Sequence, residues 1–491
     1  MNTRTTDGAA RVAGPTTLTN LARAAEDHSL QSVPSAERRS GWSLALSPVS
    51  VATALVIFAI GGFAVMLAGF AVGLTAGIVV AVLAFALGKA LGTIAFRTGV
   101  SSTVTSRLFG FGRRGSVLGS AIFAFMILGF LAMESALLYE GTVLMLGLSD
   151  DWATRITLYG LLTVAWIALA IFGLKLALRA SGVMTIITLL VTVWLIIEIY
   201  VNQGSDPAAF FASEGVVPGT GWDKFQAAFA VIGATAGTIS LVTMDFARYA
   251  RSNRDVTILA LAGPFVQNIV MVILGGLITV GALPIVADYL SARDSGLIPE
   301  AAAGAASAYV MQNTGAFFVI FAGWIGFITI YAAQAKAQAI NAYSGSLSLV
   351  NIVDALTGKR PGRPVMVIAG NLIALGMIAA GILDNFASYL AYLGTLTLSM
   401  CAVMIADFFI VRRGRYIPSE HRVENWNWAG LVTMAISATT GIVLMATGIV
   451  PLGFLVSLVL ALILYPVLRR AIPEGTGTTY AAAADAFDEA D

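Results

Sequence analysis

Charged residues are scarce in this chain. Only 11% of its 491 residues are Asp, Glu, Lys or Arg, and 58% are hydrophobic, whereas soluble domains carry roughly a quarter charged residues. The mean hydropathy of +0.86 excludes a soluble globular protein. The formal net charge of +1 leaves no basic surface for nucleic acid. The composition therefore indicates a polytopic membrane protein.

Cysteine and histidine are almost absent as well. The single cysteine, Cys401, excludes a disulfide framework and a cysteine-rich metal site. His28 and His421 both fall in polar segments, so the apolar body has no histidine for ligation or catalysis. Its spans also lack the H-E-x-x-H and G-x-S-x-G motifs of membrane-embedded hydrolases. We therefore expect a protein that is not an enzyme and that holds no metal or cofactor.

Twelve apolar runs are long enough to cross a bilayer, which takes about 20 helical residues. The sequence predicts an all-α integral membrane protein with spans 1 to 12 at 43–69, 71–96, 116–147, 154–173, 183–202, 225–245, 257–283, 315–340, 365–383, 386–411, 427–448 and 451–468. These spans form a single domain, 41–470. We predict a disordered cytosolic arm at 1–40, which lacks the apolar core of a signal peptide, and a cytosolic tail at 471–491.

Positive charge is distributed unevenly between the loops. Of the 28 lysines and arginines, 23 lie in the arm, in the loops after the even-numbered spans 2 to 10, or directly after span 12. The positive-inside rule assigns this side to the cytosol. We therefore expect a multi-pass protein of the cytoplasmic membrane with both termini cytosolic.

Glycines interrupt two spans at comparable positions. Span 1 contains Gly61 and Gly62, and span 6, five spans later, contains Gly233 and Gly237 with Thr238. Interrupted helices at matching positions of two halves indicate an inverted-repeat transporter, with a binding site near the interruptions. Glycine also permits close packing of membrane helices, and this explanation is equally compatible with the spacing.

Two ionisable residues inside the spans are candidates for function, because charges in a membrane are costly. Glu134, near the middle of span 3, is interpreted as a proton carrier or as a partner for a polar substrate, in preference to a packed carboxyl. Lys336 in span 8 is either a site residue or a side chain that reaches toward the cytosol. It stands among Gln334, Gln338 and Asn341, which recur at helical spacing.

Several segments resemble the nucleobase:cation symporters, the group of the cytosine permeases and purine–cytosine permeases. The run 97–116 is similar to the loop between helices 2 and 3 of that family. The segments 245–251, 341–348 and 405–409 are similar to the end of its helix 6, to its helix 8 and to the exit of its helix 10. These segments occur in the family's order, and the resemblance covers about 40–470.

The resemblance implies a five-plus-five inverted-repeat fold with broken helices 1 and 6. The repeats would be about 41–202 and 225–411, followed by two trailing helices at about 427–468. It also implies a secondary active importer of cytosine, a purine or a related heterocycle, driven by sodium or protons. The site would lie between spans 1, 3, 6 and 8, where the family stacks the ring between two aromatic residues and binds its edge with amides.

Carried over by position, the resemblance gives a set of substrate-binding candidates. Phe130 falls where the family has a tryptophan, and Glu134 falls where several members have a glutamine. Near Thr235, in span 6, the partner aromatic residue is missing, and Thr238 matches a family serine. One ring face is thus lost, and an acidic side chain is gained.

The remaining candidates come from spans 1 and 8. Gln338 takes the position of the amide on helix 8, with Asn341 one turn later, and Gly61 and Gly62 complete the set. Sodium-coupled members have two adjacent hydroxyl residues where this chain has Lys336 and Ala337. Because hard cations need oxygen ligands, we hypothesise that Lys336 substitutes for sodium and that protons drive transport. Coupling to sodium remains the alternative.

Other functions are compatible with parts of this pattern. Glu134 and the missing aromatic residue fit another small nitrogenous solute, such as allantoin, a pyrimidine vitamin or an amine. An ion channel is disfavoured, because no rings of pore-lining charges are present. The expected partners are a small-molecule substrate and the lipid bilayer, without nucleic acid, and the chain is expected to act as a monomer.

Overall fold

Apolar helices make up nearly all of the computed structural model, which describes residues 32–293, 314–359 and 361–479. Within these ranges, ten helices are long and apolar enough to cross a membrane, and a bent pair forms an eleventh span. The shorter apolar helix Arg363–Ala379 occupies the position of predicted span 9. Each of the twelve predicted runs is therefore helical.

Spans 1 to 12 have the following bounds: Gly41–Ala52 with Leu55–Ala68, Phe70–Thr98, Ser116–Leu146, Trp152–Phe172, Gly182–Asn202, Gly221–Ala247, Asn253–Val286, Gly315–Thr357, Arg363–Ala379, Phe386–Val411, Trp428–Ala446 and Gly453–Ala471. Short helices outside the spans are Ser35–Glu37, Ser102–Leu108 and Pro207–Phe211. Single π-helical turns are Leu169–Gly173, Glu198–Asn202, Val266–Val270 and Ala406–Val411.

Polar side chains at the helix ends set several of these bounds. Span 6 begins with a capping box in which Thr220 and Asp223 each accept a bond from the other's backbone N–H. Ser252 caps span 7 by accepting from the N–H of Asp255. Residues 174–181, predicted as the loop between spans 4 and 5, are helical, because the helix Leu174–Ile197 follows directly on a π-helical turn and continues into span 5.

The spans pack into two groups. Span 7 lies along both halves of span 1, and span 6 lies along span 2, which gives a four-span bundle. Span 8 packs along span 3 and against spans 5 and 9, and span 9 also contacts spans 3 and 4. Spans 11 and 12 pack on each other and on span 10. The two broken spans therefore belong to the same bundle and face the second group.

A small β-sheet joins the tail to the loop between spans 10 and 11. Strand β1, Arg422–Glu424, pairs antiparallel with strand β2, Gly477–Thr479. The all-α prediction contains no such element, and the first part of the predicted tail is thus paired with the domain. The rest of the tail, 480–491, lies outside the described residues.

The predicted disordered arm is packed against the bundle from residue 32 onward. Val33 is buried, and its N–H donates to the carbonyl of Gly99 over 3.0 Å. The N–H of Arg39 donates to the carbonyl of Tyr249 over 2.7 Å. The prediction of disorder is therefore wrong for 32–40, because this segment has both an apolar anchor and backbone partners. Residues 1–31 lie outside the described part of the chain.

Candidate substrate and cation site

Spans 1 and 6 are both interrupted in the interior of the protein. The two halves of span 1 meet at an angle of 65°, with Thr53 and Ala54 between them. The two halves of span 6, Gly221–Gly233 and Ala236–Ala247, are separated by Ala234 and Thr235. The break in span 6 thus lies within the predicted segment. An interruption takes backbone groups out of the regular pairing of a continuous helix, and the substrate sites of transporters lie at such interruptions.

Gly61 and Gly62 do not form the break in span 1. Both lie inside the helix Leu55–Ala68, two turns beyond the observed bend. A Cβ atom on Gly61 would come within 2.4 Å of the carbonyl oxygen of Met271, and one on Gly62 within 2.1 Å of the Thr279 hydroxyl. The predicted position of the break is therefore wrong, and these glycines instead allow spans 1 and 7 to pack closely.

Lys336 lies at the break in span 1. Its side chain is fully buried, and its ammonium donates to the hydroxyl of Thr53 over 3.1 Å and to that of Thr185 over 2.6 Å. These bonds join span 8 to the break and to span 5. The alternative that Lys336 reaches toward the cytosol does not fit, because the ammonium is held by two hydroxyls in the interior.

A small cavity adjoins this cation. It is lined by Thr53, by Thr188 and Thr192 of span 5, and otherwise by apolar side chains of spans 1, 5, 7 and 8. The hydroxyls of Thr188 and Thr192 donate to carbonyls of their own helix. Their remaining lone pairs are therefore acceptors on a wall that is otherwise apolar.

Glu134 is the acidic counterpart of Lys336. It is 2% exposed, and its Oε2 atom has no hydrogen-bond partner among the described residues. The Lys336 ammonium donates to Thr53 and Thr185 and forms no ion pair with this carboxyl group. A buried acceptor without a partner is costly. The position is thus suited to binding an N–H donor.

The amides of span 8 have different roles. Gln338 donates to the carbonyl of Leu131 over 3.0 Å and to the hydroxyl of Ser135 over 2.8 Å, and Asn341 lies 3.5 Å from its amide oxygen. The side chain of Gln338 therefore ties span 8 to span 3. Neither amide atom of Gln334, one turn earlier and also fully buried, has a partner in the described part of the chain. Gln334 is the amide with free hydrogen-bonding capacity.

Phe130 is buried and contacts an aromatic residue of span 10. Its ring and that of Tyr389 are T-shaped, with centroids 6.3 Å apart. The Tyr389 hydroxyl donates to the carbonyl of Met126 over 2.9 Å, so its ring is fixed against span 3. No aromatic residue stands at the break in span 6. Phe130 is therefore the single aromatic ring among the predicted site residues.

Both threonines predicted in span 6 are buried at the break. Thr235 donates its hydroxyl to the carbonyl of Ile232 over 2.7 Å and accepts from the amide of Gln267 over 2.8 Å. The hydroxyl of Thr238 has no partner among the described residues. Thr238 thus joins Glu134 and Gln334 as a buried polar group without a protein partner.

Sequence reasoning missed the polar pair Gln267 and Asn268 in span 7. Both are buried, 4% and 0% exposed, in the π-helical turn Val266–Val270. The available signal was two adjacent carboxamides within an apolar run, shortly after Pro264.

Comparisons with known proteins identify relatives of this chain. No family model matches it. The cytosine permease of Escherichia coli strain K12 is 26% identical over 392 residues, which cover 77% of this chain and 80% of the permease. The cytosine permease of Escherichia coli O157:H7 matches over the same share of each chain, also at 26% identity.

Solved transporter structures share the fold. Mhp1 in an inward-facing conformation matches with a TM-score of 0.71 and 16% identity, over 90% of this chain and 92% of that one. Mhp1, a nucleobase-cation-symport-1 family transporter, in a closed conformation with bromovinylhydantoin bound, matches with a TM-score of 0.64 and 18% identity, over 90% and 94% of the two chains. A Na⁺-coupled sialic acid symporter matches with a TM-score of 0.62 and 13% identity, over 94% and 97%.

These similarities agree with the all-α membrane fold. The predicted resemblance is confirmed: the chain is similar in sequence to cytosine permeases and shares the fold of a nucleobase-cation-symport-1 family transporter. These relatives are transporters and not enzymes.

Proposed function

We propose that the chain imports a nucleobase-like heterocycle, cytosine or a purine, by proton-coupled alternating access. The observation that carries the proposal is the burial of two ionisable side chains, Glu134 in span 3 and Lys336 in span 8, of which Lys336 donates to Thr53 at the break in span 1. Buried ionisable groups in a membrane protein are functional candidates because their desolvation is costly. The proposal also assigns the protein to the cytoplasmic membrane with both termini cytosolic, as the loop charges favour.

The unpartnered polar groups suit a flat nitrogenous ring. Glu134 Oε2 can accept from a ring or exocyclic N–H, and the Gln334 amide can both donate and accept. Cytosine and the purines carry such donors and acceptors side by side on one edge. The ring of Phe130 provides an apolar face for stacking. The cytosine permeases among the relatives support this substrate class.

The partners of Lys336 support coupling to protons. Its ammonium already occupies the hydroxyl oxygens of Thr53 and Thr185, which are hard-cation ligands by their chemistry. Sodium at the same place would be repelled by the fixed positive charge. Loss of one proton from the ammonium would leave a neutral amine and weaken its bond to Thr53. Release of this proton would thus loosen the contact between span 8 and the break in span 1.

A second candidate substrate follows from Glu134 itself. A buried carboxylate whose neighbouring cation lies beyond ion-pairing distance would bind a positively charged amine more strongly than a neutral base. The single aromatic ring fits this alternative, because a small amine needs no stacking on two faces. Competition by cytosine, hypoxanthine, allantoin and small amines against one radiolabelled substrate distinguishes the two.

The decisive experiment is uptake into proteoliposomes. We expect radiolabelled cytosine or hypoxanthine to accumulate with an imposed pH gradient and not with an imposed sodium gradient. E134Q and K336M should abolish gradient-driven uptake. K89M is the matched lysine control, because Lys89 lies in span 2 and donates to Asn253 and Thr257 away from the site. Uptake driven by sodium would overturn proton coupling, and no uptake of either base would overturn the nucleobase assignment.

A further inference from the structure

The π-helical turn of span 7 lies against the helix breaks. Span 7 is α-helical over Asn253–Phe265, forms a π-helical turn over Val266–Val270 and resumes at Met271. Pro264, just before the turn, has no N–H to donate, which locally weakens the helix. Single π-helical turns inside α-helices are frequent at functional sites. This turn packs against span 2 and against both halves of span 1.

The turn presents Gln267 to the break in span 6. The amide nitrogen of Gln267 donates to the Thr235 hydroxyl over 2.8 Å, and it also lies 3.5 Å from the amide oxygen of Asn268. Both carboxamides are buried in an otherwise apolar span. A carboxamide in such a place is costly unless it is hydrogen-bonded. The bond to Thr235 therefore satisfies a buried amide donor that would otherwise lack a partner.

Thr235 is the residue at which the two halves of span 6 meet. Its hydroxyl and its N–H both donate to the carbonyl of Ile232 in the first half, over 2.7 Å and 3.0 Å. Its carbonyl accepts from the N–H of Ile239 in the second half over 3.1 Å. One residue thus bonds to both halves. Among the described residues of the other spans, Gln267 is the one whose side chain hydrogen-bonds to it.

We propose that Gln267 is a positioning residue that fixes the break in span 6 through Thr235. By holding Thr235, it sets the direction of the second half of the span and hence the place of Thr238, whose buried hydroxyl faces no described partner. Span 7 and the break in span 6 then move together during transport. This inference rests on the proposed function in one respect: it takes Thr238 as a residue of the substrate site.

Transport kinetics test the inference. Q267M removes the amide and keeps the length of the side chain. A lost hydrogen bond of ordinary strength corresponds to roughly a two- to tenfold change, so we expect KM for the substrate to rise by about that factor. T235V should raise KM by the same factor. T235S keeps the hydroxyl, so its KM should equal that of the wild type. The Q267M/T235V double variant should be no worse than either single one.

A matched control separates positioning from stability. Asn371 of span 9 is a buried amide whose one hydrogen-bond partner among the described residues is the carbonyl of Val367 in its own helix, at 2.9 Å. N371L should lower the amount of folded protein without changing KM. If Q267M also changes only the amount of folded protein, or if its effect adds fully to that of T235V, the inference is overturned.

Hydrogen exchange provides a readout that needs no substrate. In lipid, Q267M should speed exchange of the amides at 232–239 at least severalfold, while those at 116–146 stay unchanged. Faster exchange without measurable nucleobase uptake would keep the inference and reject the proposed substrate. Unchanged exchange at 232–239 would reject the inference whatever the substrate is.

Discussion

The Lys336 ammonium and the Thr53 hydroxyl are joined by a 3.1 Å hydrogen bond at the point where span 1 bends by 65°. The bond links one residue of each packing group, span 8 on one side and span 1 on the other. A charge-assisted bond in the interior is stronger than a neutral one. This contact is therefore the most direct connection between the proposed coupling cation and the element that must move.

Removing the hydroxyl of Thr53 should uncouple transport. T53V keeps the shape of the side chain but leaves the Lys336 ammonium with Thr185 alone. We expect proton-driven uptake to fall at least tenfold, and the free energy of unfolding to drop by about 1–3 kcal/mol because a buried donor loses its acceptor. Uptake and thermal unfolding of the purified protein measure the two effects. T75V is the control, since Thr75 is exposed on span 2, and equal uptake by T53V and wild type would contradict the prediction.

Replacing the cation by hydroxyls should change the coupling ion. The K336S/A337S variant creates the adjacent hydroxyl pair of the sodium-coupled relatives implied by the resemblance. Oxygen ligands at the break in span 1 favour a hard cation. We expect uptake by this variant to become sodium-dependent and to lose its response to a pH gradient. A variant that folds, as judged by its thermal unfolding, but gains no sodium response would show that Lys336 does not stand in for the ion.

Gly61 should be required for packing and not for substrate binding. A Cβ at this position would meet backbone atoms of Met271 and Val272 within 3 Å, so G61A forces spans 1 and 7 apart. Overpacking of this kind costs about 1–3 kcal/mol. We expect a lower free energy of unfolding and an unchanged KM in the folded fraction. G376A is the matched control, because nothing lies within 4 Å of that position. A change in KM with unchanged stability would restore Gly61 to the substrate site.

The loop between spans 10 and 11 should be less stable in acid because of His421. The ring is 5% exposed, and its Nε2 donates to the carbonyl of Leu108 over 3.0 Å. Burial, with the positive charge of Arg412, lowers the pKa of His421 from its usual 6.5. The unfolded state therefore binds the proton more readily, so the stabilisation is present above about pH 6.5 and is lost as the pH falls. The melting temperature should drop more for wild type than for H421Q between about pH 7.5 and pH 5.5, and equal drops would contradict this assignment.

The fold could be predicted because it depends on long apolar runs. Twelve such runs are sufficient to predict the spans, and the glycines around 233–237 are sufficient to predict the break in span 6. The break in span 1 could not be located, because a glycine pair at a helix interruption and one at a close helix contact look alike in sequence. The structure distinguishes them, because span 1 bends before Leu55 and a Cβ atom on Gly61 would come within 2.4 Å of the Met271 carbonyl oxygen.

The candidate site was predicted less completely. The sequence identifies Glu134 and Lys336 because charges in an apolar span are rare. It cannot indicate which amide of span 8 is free, since Gln334 and Gln338 lie on the same face one turn apart. Which amide is free depends on span 3, where the carbonyl of Leu131 and the hydroxyl of Ser135 accept hydrogen bonds from Gln338. Gln267 was missed because it lies outside the spans that the resemblance assigns to the site.

The Lys336 ammonium is covalently part of span 8, so its presence at the site does not depend on the concentration of any dissolved cation. A dissolved ion leaves its site when its concentration falls, and its rebinding costs translational entropy each time. The Lys336 side chain stays in place, and only its proton can exchange with the surroundings. On the proposed mechanism, the transporter would therefore work equally well in fresh water and in brine, and the acidity outside the membrane would set how far it can concentrate its substrate.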